Sequence, residues 1–287
     1  MGQKEPQKKP QSEKKKIDAG WIVLIALLVV CCAVAVIFSM DITLSEDETV
    51  NALLIATIPR LVTSVFLIVA IIQAGYHSML HPKLSSWPHA MLWSIPCLLV
   101  ALANFPFTAL LSGEAVVERT DLLWLFLIEC LSIGLMEELF FRGLIFPFIL
   151  EKLQDRKHGI LVSVVLSGLI FGLWHLTNLF TGAGVAETLM QVVYTFLMGC
   201  MWSIAILKTD NMWLGVFTHT LFDVGGMLVT QLGSGSFQDM WFWLFTVVFG
   251  VLCALHVVFT LVRIKSAPFV PQKKKAEEAP ASTDAAQ

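Results

Sequence analysis

The segment that decides the fold class is residues 121–150, which read DLLWLFLIECLSIGLMEELFFRGLIFPFIL. This segment is apolar over most of its length and is longer than the roughly 20 residues that an α-helix needs to cross a bilayer core. Gly143 and Pro147 interrupt it near its end, so the helix is expected to break or to form a re-entrant turn there.

The composition of the whole chain agrees with a membrane protein. The chain has 287 residues, of which 56% are hydrophobic and 14% are charged. A soluble domain carries about 25% charged residues, so these charges are too few to cover a water-facing surface. Ordinary soluble enzymes and disordered chains are excluded on this ground. The net charge of -3 gives no basic surface for nucleic acid, so no nucleic-acid partner is expected.

The predicted fold class is all-α, a polytopic transmembrane helical bundle of about eight spans in one domain. The spans are expected at residues 20–40, 54–75, 90–110, 121–150, 159–180, 187–207, 211–231 and 240–263.

The chain divides into a bundle at residues 20–265 and two polar tails. Residues 1–19 form a basic tail and residues 266–287 a mixed Lys, Glu, Ala, Pro and Ser tail, and both are predicted to be disordered and cytosolic. The apolar run at 20–40 is too long for a cleaved signal peptide and fits an uncleaved signal anchor.

The placement of Lys and Arg predicts the orientation. With the N-terminus in the cytosol, most of the 19 basic residues fall in the tails and the cytosolic loops, and the first outer loop is acidic. The expected location is therefore an integral, multi-pass position with both termini cytosolic. Short loops and the signal anchor favour a prokaryotic cell membrane.

Ionisable residues inside spans are costly and mark candidate functional sites. In the fourth span, Glu138 and Arg142 are four residues apart, so they share a helix face and can pair. Glu137 is rotated by about 100° from Glu138 and has no local cation. A carboxylate left free in this way suits a general base. Glu129 has no matched partner and is interpreted as structural, and Arg60 is expected to snorkel to the interface.

Two further pairs repeat the four-residue spacing. Phe171 and His175 lie in the fifth span, and His219 and Asp223 lie in the seventh. A carboxylate beside an imidazole can fix its tautomer or help to bind a metal. Each pair taken alone also fits a structural role, as a core histidine or a helix-packing hydrogen bond, and the Glu138 and Arg142 pair fits a structural ion pair.

Together the motifs Glu-Glu-x-x-x-Arg, Phe-x-x-x-His and His-x-x-x-Asp, in this order, resemble the pattern of the CPBP intramembrane proteases. This family includes the type II CAAX prenyl endopeptidases and bacteriocin-immunity (ABI) proteins. The resemblance covers about residues 121–231. It implies an intramembrane endopeptidase that hydrolyses peptide bonds of membrane-associated or lipid-modified substrates, with membrane lipid and a membrane-bound peptide or protein as partners.

The resemblance also implies roles for individual residues. Glu137 would activate the water, and His175 would orient it. His219 and Asp223 would stabilise the oxyanion or orient its stabiliser. The supporting residues would be Glu138, Arg142 and Phe171.

One position departs from the pattern of the prenyl endopeptidases, which usually have Asn where this chain has Asp223. An ionised Asp cannot donate a hydrogen bond to an oxyanion. Either Asp223 is protonated, or it acts through His219, or the site binds Zn²⁺ or another divalent metal. The metal-ligand candidates would be Glu137, His175, His219 and Asp223. The preferred hypothesis is a glutamate-dependent enzyme with no obligatory cofactor, and a metalloprotease is the alternative.

Straight helices in a core about 30 Å thick predict a conflict in depth. Glu137 would lie about 24 Å from the outer start of its span, and His175 about 24 Å from the inner start of its span. A re-entrant turn near Gly143, or different span limits, would be needed to bring the two side chains together.

Two other functions remain open. A non-catalytic membrane interaction or bacteriocin-immunity protein would retain the fold without hydrolysis. A transporter would use the carboxylates as a proton relay, but the repeated halves typical of transporters are not apparent in the sequence.

Overall fold

The computed structural model describes residues 18–39, 42–81 and 87–264. Most of both predicted tails, residues 1–17 and 265–287, lies outside the described residues. The helices are α1 (Ala19–Ser39), α2 (Glu48–Ala74), α3 (Trp87–Ala103), α4 (Phe107–Ser112), α5 (Leu123–Phe140), α6 (Phe146–Leu153), α7 (Gly159–Trp174), α8 (Val185–Thr209), α9 (Trp213–Leu232) and α10 (Met240–Arg263). Shorter helical segments are 3-10 turns at His77–Leu80, Thr120–Leu122 and His175–Thr181, and a π-helical segment at Phe141–Ile145. The predicted all-α bundle is confirmed.

Five helical segments in the described part of the chain are long and apolar enough to cross a membrane. They are Glu48–Ala74, Met91–Ser112, Gly159–Phe180, Val185–Thr209 and Met240–Arg263. The helices α5 and α9 are not among them, and these two helices carry most of the ionisable residues of the predicted site.

Close helix packing positions the site in the middle of the bundle. The helix α5 packs between α2 and α9, and α7 packs along α8. Glycines permit these approaches: a Cβ atom at Gly134 of α5 would lie 2.8 Å from Oγ1 of Thr220 in α9. A Cβ atom at Gly199 of α8 would lie 2.9 Å from Cα of Gly168 in α7. Small residues allow membrane helices to approach closely, which brings the side chains flanking them into contact.

The predicted break near Gly143 and Pro147 is wrong, because the chain stays helical from α5 through the π segment into α6. The π segment changes the hydrogen-bond register just before Pro147, which therefore falls in the first turn of α6. A proline is tolerated there because its missing N–H is not required. Gly143 contacts α2, since a Cβ atom on it would lie 2.5 Å from Cδ1 of Ile71.

The predicted conflict in depth disappears without a re-entrant turn. Sixteen residues separate Glu137 from Leu153 at the end of α6, and sixteen separate His175 from Gly159 at the start of α7. At about 1.5 Å per residue, both side chains lie about 24 Å from the turn that joins α6 to α7. The expectation failed because it measured Glu137 from the start of a span at residues 121–150, which at about 1.5 Å per residue is about 45 Å long and exceeds the assumed core of about 30 Å.

Ion pairs join the N-terminal ends of α2 and α5. Arg119 contacts Asp47 at 2.9 Å and Asp121 at 3.0 Å. The Arg119 guanidinium lowers the pKa of both carboxyl groups by hydrogen bonding to them. Asp47 also caps α2, accepting a hydrogen bond from the backbone N–H of Val50 at 3.0 Å. Nearby, Ala115–Val117 (β1) and Gly233–Gly235 (β2) form an antiparallel pair that ties the start of α5 to the end of α9.

Candidate active site

Glu138 is the most enclosed acidic residue of the site. Its side chain is fully buried, and its Oε1 atom lies 3.1 Å from Nη1 of Arg142. This is the predicted pair of residues four apart on one helix face. A Cβ atom at Gly215 would lie 2.8 Å from Oε2 of Glu138, so the missing side chain at Gly215 leaves room for this carboxylate against α9.

Glu138 also orients His219. The Nδ1 atom of His219 donates to Oε1 of Glu138 at 3.0 Å. Because an ionised carboxylate only accepts hydrogen bonds, the hydrogen lies on Nδ1 and Nε2 is directed to the other side of the ring. The sequence assigned this tautomer-fixing position to Asp223, but the structure places Glu138 there.

Two carboxylates face the Nε2 atom of His219. Oε2 of Glu137 lies at 3.7 Å and Oδ2 of Asp223 at 3.8 Å. Both separations are too long for a direct hydrogen bond, and both oxygens are buried without a hydrogen-bond partner among the described residues. The sequence motifs on α5 and α9 therefore converge on one small polar space, with the imidazole between the two acids.

His175 enters the same cluster from α7. It is the first residue of the 3-10 turn, and its Nδ1 atom donates to the carbonyl oxygen of Phe171 at 3.0 Å. The Phe171 ring contacts both imidazoles, since its centre lies 5.0 Å from that of the His175 ring and 5.9 Å from that of the His219 ring. His175 interacts electrostatically with Glu137. All four residues predicted to be catalytic are thus brought to one site.

Aromatic rings enclose the buried Arg142 guanidinium. Its Cζ atom lies 4.1 Å from the centre of the Phe171 ring and 5.0 Å from that of Trp202. Contacts of a cation with aromatic faces offset part of the cost of burying the charge. Phe171 therefore supports the site through Arg142 as well as through the two histidines.

Trp202 and Thr218 belong to the site although neither was predicted to be part of it. The indole of Trp202 stacks on the His219 ring with centroids 4.4 Å apart, and its Nε1 atom donates to Oγ1 of Thr218 at 2.9 Å. A tryptophan inside a span must place its N–H on an acceptor. The presence of Trp202 in the sixth predicted span therefore indicated that a hydrogen-bond acceptor lies nearby. Its partner lies on another helix, so the sequence could not name it.

A second polar cluster lies about two helical turns from Glu137, toward the N-terminal end of α5. The expectation that Arg60 snorkels is wrong: its side chain is 15% exposed, and Nη1 lies 3.6 Å from Oε1 of Glu129. Gln231 donates to the same oxygen at 3.3 Å. Glu129, predicted to have no partner, is therefore held by α2 and α9.

The described side chains do not form a metal centre. In the part of the chain that the structure describes, no group of three or more His, Cys, Asp or Glu residues is arranged to hold a metal ion. The metalloprotease alternative therefore has no support from the geometry, and the absence of an obligatory cofactor stays a prediction.

The chain was compared with protein families, curated proteins and solved structures. Residues 119–225 match the family model for type II CAAX prenyl endopeptidase Rce1-like proteins, a segment that contains all three motifs. No curated protein and no solved structure matches the chain. Together with the apolar helices, the match indicates an integral membrane protein and supports an intramembrane protease function acting on membrane-associated peptides. Through residues 119–225, the chain is therefore similar to the Rce1-like type II CAAX prenyl endopeptidases, as the resemblance to the CPBP intramembrane proteases predicted.

Proposed function

We propose that this protein is an endopeptidase that hydrolyses peptide bonds of membrane-associated or lipid-modified substrates within the membrane. The observation that carries the proposal is the position of His219, whose Nε2 atom lies 3.7 Å from Glu137 and 3.8 Å from Asp223. A water molecule at this point would have two carboxylate acceptors and an imidazole nitrogen within reach, which is enough to orient it.

In the first step, Glu137 accepts a proton from the water while the water oxygen forms a bond to the scissile carbonyl carbon, whose own oxygen becomes negatively charged. His175 orients the water, since its Nδ1 atom is held by the Phe171 carbonyl and its Nε2 atom is free to accept. In the second step, the protonated Glu137 gives its proton to the leaving nitrogen as the carbon–nitrogen bond breaks. General acid–base catalysis of this kind contributes about 10²- to 10⁴-fold in rate.

The negative charge on the former carbonyl oxygen needs a hydrogen-bond donor. The cationic form of His219, which three neighbouring carboxylates stabilise, presents an N–H on Nε2 while Nδ1–H stays on Glu138. Asp223 acts through His219 in this scheme, which makes its ionised form compatible with catalysis.

A comparison of membrane peptides from cells that carry the wild-type protein or Glu137→Gln tests the proposal. Peptides with new termini should be present with the wild type and absent with the variant at equal membrane abundance. Wild-type function of both Glu137→Gln and His175→Ala, with no peptide difference, would instead identify a non-catalytic membrane interaction protein.

A further inference from the structure

Tyr194 reaches the site from α8 and has no role in the scheme above. Its ring lies 5.9 Å from the ring of Phe222, the residue that precedes Asp223 on α9. Tyr194 interacts electrostatically with Asp223 and Glu137. Its side chain is 40% exposed, so it stands at the edge of the site and not in the core.

The packing of α7 on α8 fixes the depth of Tyr194. A Cβ atom at Gly172 would lie 2.8 Å from the carbonyl oxygen of Val192 and 3.1 Å from Cβ of Phe196. These two residues bracket Tyr194 on α8, and His175 follows Gly172 by about one turn. Tyr194 therefore lies within about one helical turn of the level of His175 and Glu137.

A chain of amide side chains orients the Tyr194 hydroxyl. Nδ2 of Asn178 donates to Oε1 of Gln191 at 2.7 Å, and the Gln191 side chain is also a hydrogen-bond partner of the Tyr194 hydroxyl. The Gln191 amide nitrogen can donate to the phenolic oxygen while the Gln191 oxygen accepts from Asn178, and the proposal uses this arrangement. In this arrangement the phenolic hydrogen is available to another acceptor. Each hydrogen bond in the series from Asn178 through Gln191 to Tyr194 polarises the next, which makes the Tyr194 hydroxyl a better donor.

The reaction has a use for such a donor. A developing oxyanion is stabilised best by more than one hydrogen bond, and the carboxylates of Glu137 and Asp223 offer none in their ionised forms. A neutral phenol can donate without adding charge to the site.

We infer that Tyr194 is a further catalytic residue, whose hydroxyl donates a hydrogen bond to the oxyanion formed when water adds to the scissile carbonyl. This inference rests on the proposed function. Asn178 and Gln191 are positioning residues, because they act by directing the Tyr194 hydroxyl.

The test uses the purified full chain in proteoliposomes with an internally quenched, lipid-modified peptide. Tyr194→Phe keeps the ring and removes only the hydroxyl, so kcat should fall by about 10²-fold while KM stays close to that of the wild type. Tyr76→Phe is the matched control, because Tyr76 is the other tyrosine of the chain and donates to Glu151, at 2.7 Å, near the inner end of α6. It should leave kcat unchanged.

A second measurement separates catalysis from folding. A phosphinate analogue of the peptide mimics the tetrahedral intermediate and should bind Tyr194→Phe more weakly by about the factor lost in kcat. Incorporation of 3,5-difluorotyrosine at position 194 retains the donor and should restore most of the rate, with a pH profile shifted toward acid. Gln191→Leu should lower kcat less than Tyr194→Phe does.

The inference is overturned if Tyr194→Phe has the kcat of the wild type while Glu137→Gln is inactive. It is also overturned if KM rises at constant kcat, since Tyr194 would then bind the substrate without stabilising the oxyanion. Full activity of Glu137→Gln would overturn the proposed function, which is a distinguishable result.

Discussion

The Nδ1 atom of His219 lies 3.0 Å from Oε1 of Glu138 and donates a hydrogen bond to it. The two glutamates of the Glu-Glu motif therefore have different positions relative to the same ring. Glu138 lies on the Nδ1 side of the imidazole and holds its orientation. Glu137 lies on the Nε2 side, 3.7 Å from that nitrogen. Adjacent residues on a helix point about 100° apart, which allows one dipeptide to contact both sides of one side chain on α9.

Removing the charge of Glu138 should affect stability as well as rate. Glu138→Gln leaves the buried Arg142 without its counter-charge, which costs about 3–5 kcal/mol. The melting temperature in detergent should fall clearly, and cleavage should fall with it because His219 loses its carboxylate acceptor.

A double substitution separates these two effects. Arg142→Met in the Glu138→Gln background removes the unpaired charge and should recover most of the melting temperature, but not the activity. Recovery of activity together with stability would show that Glu138 has no function beyond neutralising Arg142.

Gly215 should be intolerant of a methyl group. In Gly215→Ala the new Cβ atom would lie 2.8 Å from Oε2 of Glu138, so the carboxylate must move and carry His219 with it. A displacement of about 1 Å at a catalytic group costs about 10²-fold in rate. Gly250→Ala is the control, because a Cβ atom on Gly250 has nothing within 4 Å. Equal cleavage rates of the two variants would be inconsistent with the site described above.

Chelation should not inhibit the purified enzyme. The described His, Cys, Asp and Glu side chains form no cluster suited to a metal ion, and the proposed roles of Glu137 and His175 need none. Activity after exhaustive treatment with EDTA or 1,10-phenanthroline should match that of the untreated protein, and elemental analysis should find no stoichiometric zinc. Loss of activity that added zinc restores would contradict this prediction.

The charges at the N-terminal ends of α2 and α5 should make the stability of the folded protein depend on pH in the acidic range. Arg119 lowers the pKa of Asp47 and Asp121 in the folded protein. A group with a lowered folded pKa contributes stability above its unfolded value, about 3.9 for Asp, and that contribution is lost as pH falls through the folded pKa.

The wild type should therefore lose more thermal stability than Arg119→Met between about pH 5 and pH 2, and added salt should reduce the difference. Both proteins are compared by thermal unfolding in the same detergent. If the melting temperatures of the two proteins fell in parallel with pH at low salt, Arg119 would not stabilise the folded carboxylates.

Sequence patterns were sufficient for the helical bundle and for the residues that gather at the site, because apolar run length and four-residue spacing are local properties. They failed where partners come from distant segments. Arg60 and Gln231 meet Glu129 from α2 and α9, and Trp202 meets His219 from α8. Periodicity shows which residues face inward, but not which inward faces meet.

The depths of Glu137 and His175 in the bundle were also predicted wrongly from the sequence. The π segment at Phe141–Ile145 keeps the helix continuous past Gly143, and the helix then extends to Leu153. The prediction placed Glu137 within a core about 30 Å thick, although a helix over residues 121–150 is about 45 Å long. This is why Glu137 and His175 were expected at different levels although their side chains interact.

The central claim is that Glu137 activates the water that attacks the peptide bond. The most direct measurement is the cleavage rate of the purified Glu137→Gln variant on the internally quenched, lipid-modified peptide in proteoliposomes, with Glu129→Gln as a matched substitution on the same helix. Glu137→Gln should lose at least about 10²-fold in kcat at an unchanged melting temperature, while Glu129→Gln continues to cleave. A Glu137→Gln protein that cleaves at the wild-type rate would contradict the assignment.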